Sequence, residues 1–188
     1  WKTNMRFSKG FWPARKSFGR IHNGFNNAIK SIWPNIQKEL IQLYTHNQSI
    51  WLTGHSLGGA LTTLAAVSLK FQNPKIECNG IYTFGQPRLG DYMFSMQFNF
   101  FFKRKCFRVV NNYDVITRIP PQLFGYRHVG TLIYFDIHGK LCKDVGLVWW
   151  AKFRDGLQGG RFENLFNLSK EGLRDHNRKV YLELSEKV

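Results

Sequence analysis

Hydrophobic residues cluster in short runs at several places along the chain, separated by longer mixed stretches. Runs of this kind, bounded by Gly, Asn or Asp, are typical of buried strands. They predict strands at 50–52, 81–84 and 107–111. Residues 126–137 alternate between apolar and polar well enough to form a further strand or a hairpin.

A second spacing, with apolar residues every three or four positions, predicts helices. It is clearest over residues 25–44, where Pro34 is expected to kink the helix or to split it in two. Residues 60–71 are mostly helix formers and contain neither Pro nor Gly, which predicts a second helix. A final helix is expected over residues 175–187, with Asp175 as its N-cap.

The alternation of strands and helices predicts an α/β fold with a mainly parallel sheet flanked by helices. Hydrophobic residues make up 43% of the chain and aromatic residues 16%, which is enough to build a packed core. The length of 188 residues suits a single domain over residues 1–188. No apolar run is long enough to cross a membrane, so we expect no transmembrane segment.

The most informative turn joins the first predicted strand to the helix that comes after it. It reads Gly54-His55-Ser56-Leu57-Gly58, a Gly-x-Ser-x-Gly pattern between strand and helix. This pattern indicates the nucleophile elbow of α/β-hydrolase folds, in which a sharp turn exposes the serine hydroxyl. The turn is expected to leave no room for side chains two residues either side of the serine, which explains the two glycines. Free N–H groups at the start of the next helix would face a developing oxyanion.

A serine nucleophile needs a histidine base, and the base needs an acid to orient it. In this fold the acid and then the histidine come after the serine in the chain. Asp114 stands out as the acid because it lies just past a predicted strand, whereas Asp91 is placed to cap a helix and Asp136 lies within a strand pattern. The residue pattern leaves the base open among three histidines: His128, His138 and His176.

The charge balance points to anionic surfaces. The chain has 27 basic and 12 acidic residues, a formal net charge of +15, which favours nucleic acid, anionic lipid or acidic polymers as partners. Residues 1–20 mix aromatic and basic side chains and are interpreted as a surface flap with apolar and basic faces, as the loop of a larger fold, or as a solvated loop. Residues 98–105, FNFFFKRK, fit either a platform for single-stranded nucleic acid or a helix end with its aromatics in the core. No recognised nucleic-acid motif is present.

Cysteine usage gives no sign of a metal site or a disulfide framework. Cys78, Cys106 and Cys142 are odd in number and widely separated, and no Cys-x-x-Cys pattern occurs. The chain begins at Trp1 rather than at Met, so a targeting segment could precede it, and the choice between a secreted and a cytoplasmic location stays open.

Beyond the elbow, a series of short motifs extends over almost the whole chain. They are Ile21–Phe25, Thr53–Ala60, Tyr82–Asp91, Arg108–Asp114, Ile119–Pro121, and Asp175-His176 with Tyr181. Their order and spacing resemble those of class 3 lipases, the fungal-type triacylglycerol lipase family within the α/β-hydrolases. The resemblance implies an α/β-hydrolase fold. It also implies hydrolysis of the carboxylic esters of lipids at a membrane or droplet surface, with triacylglycerols as the expected substrate.

The resemblance also implies roles for individual residues. Ser56 would be the nucleophile, Asp114 the acid and His176 the base, while His128 matches a family histidine that is not catalytic. The backbone N–H of Leu57 would supply one donor to the oxyanion. No metal or organic cofactor and no nucleic-acid partner are expected, and the oligomeric state is open.

One family feature has no counterpart in this sequence. The family's second oxyanion donor comes from a Phe-Arg-Gly-Ser/Thr segment on an earlier strand, and residues 1–4 resemble the start of the family's lid, which comes directly after that segment. The expectation is therefore an N-terminally truncated domain whose residues 1–20 form a lid-like flap carrying Trp1, Met5 and Phe7. Alternatives are a phospholipase A1, a general esterase, or a catalytically inactive lipid-binding relic.

Overall fold

A five-stranded sheet forms the centre of the computed structural model, which describes residues 8–12, 16–45, 47–142 and 170–186. Four of its strands run parallel, and the last pairs antiparallel with its neighbour. In spatial order the strands are β3 (Ile50–His55), β4 (Cys78–Phe84), β5 (Cys106–Asn111), β6 (Thr131–Phe135) and β7 (Leu141–Cys142). A separate hairpin pairs β1 (Lys9–Phe11) with β2 (Arg20–His22). The predicted α/β class with a mainly parallel sheet is confirmed.

Helices connect and flank the strands. They are α1 (Asn23–Leu43), α2 (Leu57–Gln72), α3 (Tyr92–Phe102), α4 (Lys170–Asp175) and α5 (Arg178–Ser185). Short 3-10 turns cover Lys16–Phe18, Lys103–Lys105, Val115–Arg118 and Gln122–Phe124. Within the described part of the chain, no helix combines the length and the apolar character that a membrane crossing requires.

The sheet is covered on both faces. Side chains of successive residues in a strand point to opposite faces. Thr83 of β4 lies beside the start of α2, whereas the ring of the next residue, Phe84, lies 6.0 Å from the ring of Tyr181 on α5. The helices α2 and α5 therefore pack on opposite faces, and both reach the carboxyl edge of the parallel strands.

Helix α1 runs without a break through Pro34, so of the two expected effects of this proline, a kink or a split, the split is wrong. Its inner side is held by the buried residues Phe25, Ile29 and Trp33, and the Trp33 Nε1–H donates to Gln72 Oε1 of α2 at 2.7 Å. Pro34 is exposed, and so is Lys30, whose carbonyl loses its helical partner. Water can bind that carbonyl, and the packing of the inner side keeps the helix continuous.

The stretch 98–105 is the end of a helix, which confirms the second interpretation of its aromatic residues. Phe98 and Phe102 of α3 are buried, and their rings contact each other with centroids 4.8 Å apart and planes tilted by 33°. They join Phe94 and Phe18 in the main hydrophobic core. Phe100 differs, because it is 81% exposed.

The C-terminal region differs from the prediction of one helix capped by Asp175. Asp175 is the last residue of α4, and the side chain of Asn177 caps α5 by accepting from the Lys179 N–H at 2.9 Å. His176 lies in the short connection between the two helices. Asp175 is not the cap because its carboxylate is bound to Asn112 and Tyr113, at the end of β5.

The described residues of the N-terminal segment are partly built into the core. Trp12 and Phe18 are 3% and 2% exposed, so this part of residues 1–20 is more than a solvated loop or surface flap. The lid-like residues Trp1, Met5 and Phe7 lie outside the described residues.

Candidate active site

The elbow has the geometry that its sequence predicts. Ser56 lies between β3 and α2 with φ 57° and ψ −126°, a backbone conformation that non-glycine residues rarely adopt. Its N–H donates to the Phe84 carbonyl at 2.9 Å, which holds the turn to the neighbouring strand. Such strain costs about 1–3 kcal/mol and persists only where the surrounding structure enforces it.

The two glycines of the motif have different roles. A Cβ at Gly54 would lie 2.4 Å from the Gly58 carbonyl oxygen and 2.5 Å from Thr62 Oγ1, so no side chain fits there. A Cβ at Gly58 would meet no atom of a surrounding residue within 4 Å. The expectation that a side chain at Gly58 would collide is therefore wrong, because the crowding is all at Gly54. Gly59 lets α2 approach the sheet closely, since a Cβ there would lie 3.3 Å from Thr83 Cβ.

The structure brings together the three predicted residues Ser56, His176 and Asp114. The Ser56 hydroxyl lies 2.8 Å from His176 Nε2, and His176 Nδ1 lies 2.9 Å from Asp114 Oδ2. With the ring proton on Nδ1, the serine hydroxyl donates to Nε2 and the ring donates to the carboxylate. This arrangement leaves Nε2 free to take the proton of the hydroxyl.

Asp114 is completely buried and receives several hydrogen bonds. It begins the 3-10 turn after β5, where its Oδ1 accepts from the Ile116 N–H at 2.9 Å. Its Oδ2 accepts from the Tyr181 hydroxyl at 2.6 Å, and that hydroxyl accepts from the Asn111 N–H at 3.0 Å. Burial, followed by the charge of Asp114, raises the pKa of Tyr181 well above its usual value, so Tyr181 is a permanent donor. These donors compensate the desolvation of the carboxylate.

Asp175 fixes the loop that carries His176 to the end of β5. Its carboxylate accepts from Asn112 Nδ2 at 3.0 Å and from the Tyr113 N–H at 3.1 Å, and its carbonyl accepts from Asn111 Nδ2 at 3.1 Å. Burial raises the pKa of Asp175, and the two hydrogen bonds to its carboxylate partly offset that effect. A capping role was expected for Asp175, whereas its contacts position the neighbouring histidine.

Two contacts of His176 had no signal in the sequence. His55 Nε2 lies 2.8 Å from the His176 carbonyl oxygen, and the two rings are 4.6 Å apart. Burial, and then the neighbouring His176, lower the pKa of His55 from 6.5. Gly85 has φ +60°, and a Cβ there would lie 2.7 Å from Asp114 Oδ2 and 2.8 Å from His176 Nδ1. Any larger residue at position 85 would displace the acid–histidine pair.

The other candidate acids have structural partners. Asp91 caps α3 by accepting from the Phe94 N–H at 2.9 Å, which confirms its predicted capping role. Asp136 accepts from the His138 and Lys140 N–H groups in the turn between β6 and β7.

The other candidate bases and the oxyanion donor complete the set of predicted residues. The His128 carbonyl accepts from Ser95 Oγ of α3 at 2.7 Å, and His138 lies in the turn before β7. Leu57 is the first residue of α2, so its N–H is among those without an intrahelical partner. Its role as oxyanion donor stays a prediction.

Across residues 8–12, 16–45, 47–142 and 170–186, no group of three His, Cys, Asp or Glu side chains could hold a metal ion.

The sheet, the elbow and the order of serine, acid and histidine define an α/β-hydrolase. The chain matches the family described as Lipase (class 3) over residues 1–124. It therefore belongs to the class 3 lipase family, and the sequence resemblance is confirmed.

Individual relatives agree with this assignment. A secreted mono- and diacylglycerol lipase 1 of Fusarium solani is 34% identical over 148 residues, which cover 77% of this chain and 42% of the relative. The triacylglycerol lipase OBL1 of Ricinus communis is 41% identical over 98 residues, 48% of this chain and 19% of the relative. The solved lipase II from Rhizopus niveus superposes with a TM-score of 0.63 at 26% identity, covering 76% of this chain and 56% of that structure. The chain thus spans less than half the length of either relative.

Proposed function

We propose that this chain is a serine carboxylic-ester hydrolase that acts on lipids, with triacylglycerols as its principal substrate class. The observation that carries the proposal is the continuous hydrogen-bonded series from Ser56 through His176 to Asp114. Membership of the class 3 lipase family supports the choice of a lipid ester over other acyl compounds. The relatives named as triacylglycerol and diacylglycerol lipases support an uncharged glycerol headgroup.

In the proposed mechanism, Ser56 Oγ attacks the ester carbonyl carbon while His176 Nε2 takes the hydroxyl proton. The negative charge that develops on the carbonyl oxygen is bound by the Leu57 N–H at the start of α2. His176 then donates its proton to the leaving alcohol as the acyl–oxygen bond breaks. A water molecule, deprotonated by His176, hydrolyses the acyl-enzyme and regenerates Ser56.

Asp114 is the orienting acid in this scheme. Because it accepts from His176 Nδ1–H, it fixes the tautomer in which Nε2 is a base, and its charge stabilises the imidazolium that forms. Tyr181 and Asp175 are positioning residues, since one holds the carboxylate of Asp114 and the other holds the loop that carries His176.

The proposal is tested by measuring ester turnover on a substrate panel. The panel contains a short-chain p-nitrophenyl ester, an emulsified triacylglycerol, a diacylglycerol and a phosphatidylcholine. We expect hydrolysis of the p-nitrophenyl ester and the acylglycerols, abolished by Ser56→Ala and by His176→Ala, and retained in the matched control His138→Ala.

Other outcomes would identify the alternatives. Preferred release of the sn-1 acyl chain of the phospholipid would indicate a phospholipase A1. Turnover restricted to the short-chain ester would indicate a general esterase. Binding of lipid with no turnover of any ester would indicate an inactive lipid-binding relic, and would contradict the proposal.

A further inference from the structure

Helix α3 is apolar on two sides, although only one of them faces the core. Phe94, Phe98 and Phe102 recur every four residues and are buried. Tyr92, Met96 and Phe100 recur with the same spacing on another side of the helix. An ordinary surface helix buries one apolar stripe and presents polar side chains to water. The packing of the domain therefore does not explain the apolar residues on the second side of α3.

The exposed side forms a continuous apolar stripe. Tyr92 is 66% exposed, Met93 43%, Met96 43% and Phe100 81%, and these four residues are named the α3 stripe. Residues three and four positions apart on a helix are neighbours, so the side chains adjoin one another. Contiguous exposed apolar patches of this kind mark interaction sites.

The charged residues that directly follow the stripe in the chain are all positive. No acidic residue occurs between Tyr92 and Lys105, and α3 leads directly into the basic turn Lys103–Lys105. Lys103 and Arg104 are exposed, whereas Lys105 pairs with Glu77 at 3.0 Å. The stripe thus ends at two exposed cations in a chain whose net charge is +15.

We propose that the α3 stripe, together with Lys103 and Arg104, is a docking face for an anionic lipid surface. This inference rests on the proposed function, because a lipid hydrolase must reach its substrate at such a surface. The methionine and aromatic side chains enter the boundary between headgroups and acyl chains, and the two cations bind the anionic headgroups. Methionine suits this role because its flexible side chain adapts to an irregular apolar environment.

The position of α3 fits this role. The helix begins directly after the loop 85–91, which leads away from the carboxyl end of β4. Ser56 comes directly after β3, whose carboxyl end lies at the same edge of the parallel sheet. The helix then crosses the flank of the domain to the amino edge of the sheet, where the Lys103 carbonyl accepts from Thr131 Oγ1 at the start of β6. A lipid surface on the stripe therefore lies along this flank, and its Tyr92 end adjoins the edge that carries the candidate active site.

The chemistry of the stripe favours lipid over nucleic acid. Single-stranded nucleic acid binds to aromatic rings that stack on its bases, within a basic groove that tracks its phosphates. Met93 and Met96 lie between the two exposed rings of the stripe and offer no ring face for stacking. The cations lie at one end of the stripe rather than along it.

The test measures sedimentation of the full 188-residue chain with vesicles. We expect binding to phosphatidylcholine vesicles that contain phosphatidylserine, weaker binding to pure phosphatidylcholine, and loss of the difference as salt is raised. The pair Met96→Asp and Phe100→Asp should weaken binding by about tenfold or more, because it removes two inserting side chains and adds two negative charges. The matched control is Ile41→Asp with Leu43→Asp on α1, where the residues are 52% and 69% exposed.

A second pair of variants tests the cations. Lys103→Glu with Arg104→Glu should weaken binding to anionic vesicles alone, whereas Lys30→Glu with Lys38→Glu on α1 makes the same charge change and should have a smaller effect. Thermal unfolding by circular dichroism establishes that each variant folds. If the aspartate pair in the stripe does not fold, Met96→Gln with Phe100→Gln is compared with Ile41→Gln and Leu43→Gln on α1.

The experiments can refute the docking face and the proposed function separately. Ser56→Ala should bind vesicles like the unaltered chain, and the Met96→Asp and Phe100→Asp pair should still hydrolyse a soluble short-chain ester. Stripe-dependent binding without any ester turnover would support the docking face and contradict the proposed function. The docking face is wrong if the stripe and control variants bind equally, if neutral and anionic vesicles bind equally at all salt concentrations, or if the Met96→Asp and Phe100→Asp pair loses binding to single-stranded nucleic acid but keeps binding to vesicles.

Discussion

The Tyr181 hydroxyl donates a 2.6 Å hydrogen bond to Asp114 Oδ2 across 67 residues of chain. The same hydroxyl accepts from the Asn111 N–H on β5, so α5, the end of the sheet and the acid are joined at one buried oxygen atom. This contact ties the C-terminal helix to the strand that carries the acid, and so maintains the distance between Asp114 and His176.

Tyr181→Phe should therefore destabilise the protein and slow turnover together. The change leaves the Asn111 N–H unpaired and removes a donor from a buried carboxylate, at a cost of about 1.5–3 kcal/mol in the free energy of unfolding. Urea denaturation and kcat/KM for a soluble ester check the two effects. The matched control is Tyr82→Phe on β4, whose ring stacks on Trp51 and is 36% exposed. An unchanged kcat/KM in Tyr181→Phe would contradict the positioning role.

Alanine substitutions should separate the two glycines of the elbow. Gly54→Ala forces a Cβ against backbone and should cost about 1–3 kcal/mol or more, with loss of activity. Gly58→Ala has open space and gains helix propensity, so the free energy of unfolding should stay equal or rise by up to about 1 kcal/mol. Chemical denaturation of both variants provides the comparison, and equal destabilisation would show that the elbow is crowded at both positions.

Removing the side chain of Ser56 should release backbone strain. Ser56→Gly permits the positive φ without steric cost, and the gain of about 1–3 kcal/mol exceeds the entropic cost of a glycine, about 0.5–1 kcal/mol. We expect an inactive variant that is about 1 kcal/mol more stable. Ser31→Gly in α1 is the control and should lose about 0.5 kcal/mol, since that serine has ordinary helical geometry. A destabilised Ser56→Gly would mean that the elbow is not strained.

Protonation of His55 should destabilise the folded state in acid. Its folded pKa lies below the unfolded value of 6.5, chiefly because of burial and then because of His176. Between those two pKa values the unfolded state binds more protons, so the free energy of unfolding falls as the pH falls through this window. His55→Gln keeps a donor for the His176 carbonyl and does not titrate. The loss of stability between about pH 7.5 and about pH 5.5 should be smaller in this variant, and an equal loss would refute the effect.

Most of the fold could be predicted because its strongest sequence signals are local. The strand, turn and helix around Ser56 result from apolar runs and from the tight turn that requires Gly54, and the sheet class results from the alternation of strands and helices. The prediction of one C-terminal helix capped by Asp175 was wrong. Aspartate is a common N-cap residue, but the carboxylate of Asp175 is bound by Asn112 and Tyr113, which are far away in the chain.

The contacts around the candidate site could be predicted only in part. The residue pattern left three histidines open, and the resemblance to a family selected His176. The contacts of His55 and Gly85 with that histidine depend on how the strands align in space, and no local pattern reports such an alignment. The apolar stripe on α3 was hidden because a buried and an exposed phenylalanine look the same in sequence.

Covalent labelling by a serine-directed fluorophosphonate, with the modified residue mapped by peptide mass spectrometry, tests the role of Ser56 and His176 without depending on the choice of lipid. We expect one label per chain, on Ser56, at a rate that falls by about 10²–10⁴ in His176→Ala and is unchanged in His138→Ala. Labelling at another residue, labelling that survives Ser56→Ala, or an equal rate in His176→Ala would contradict the proposed nucleophile and base.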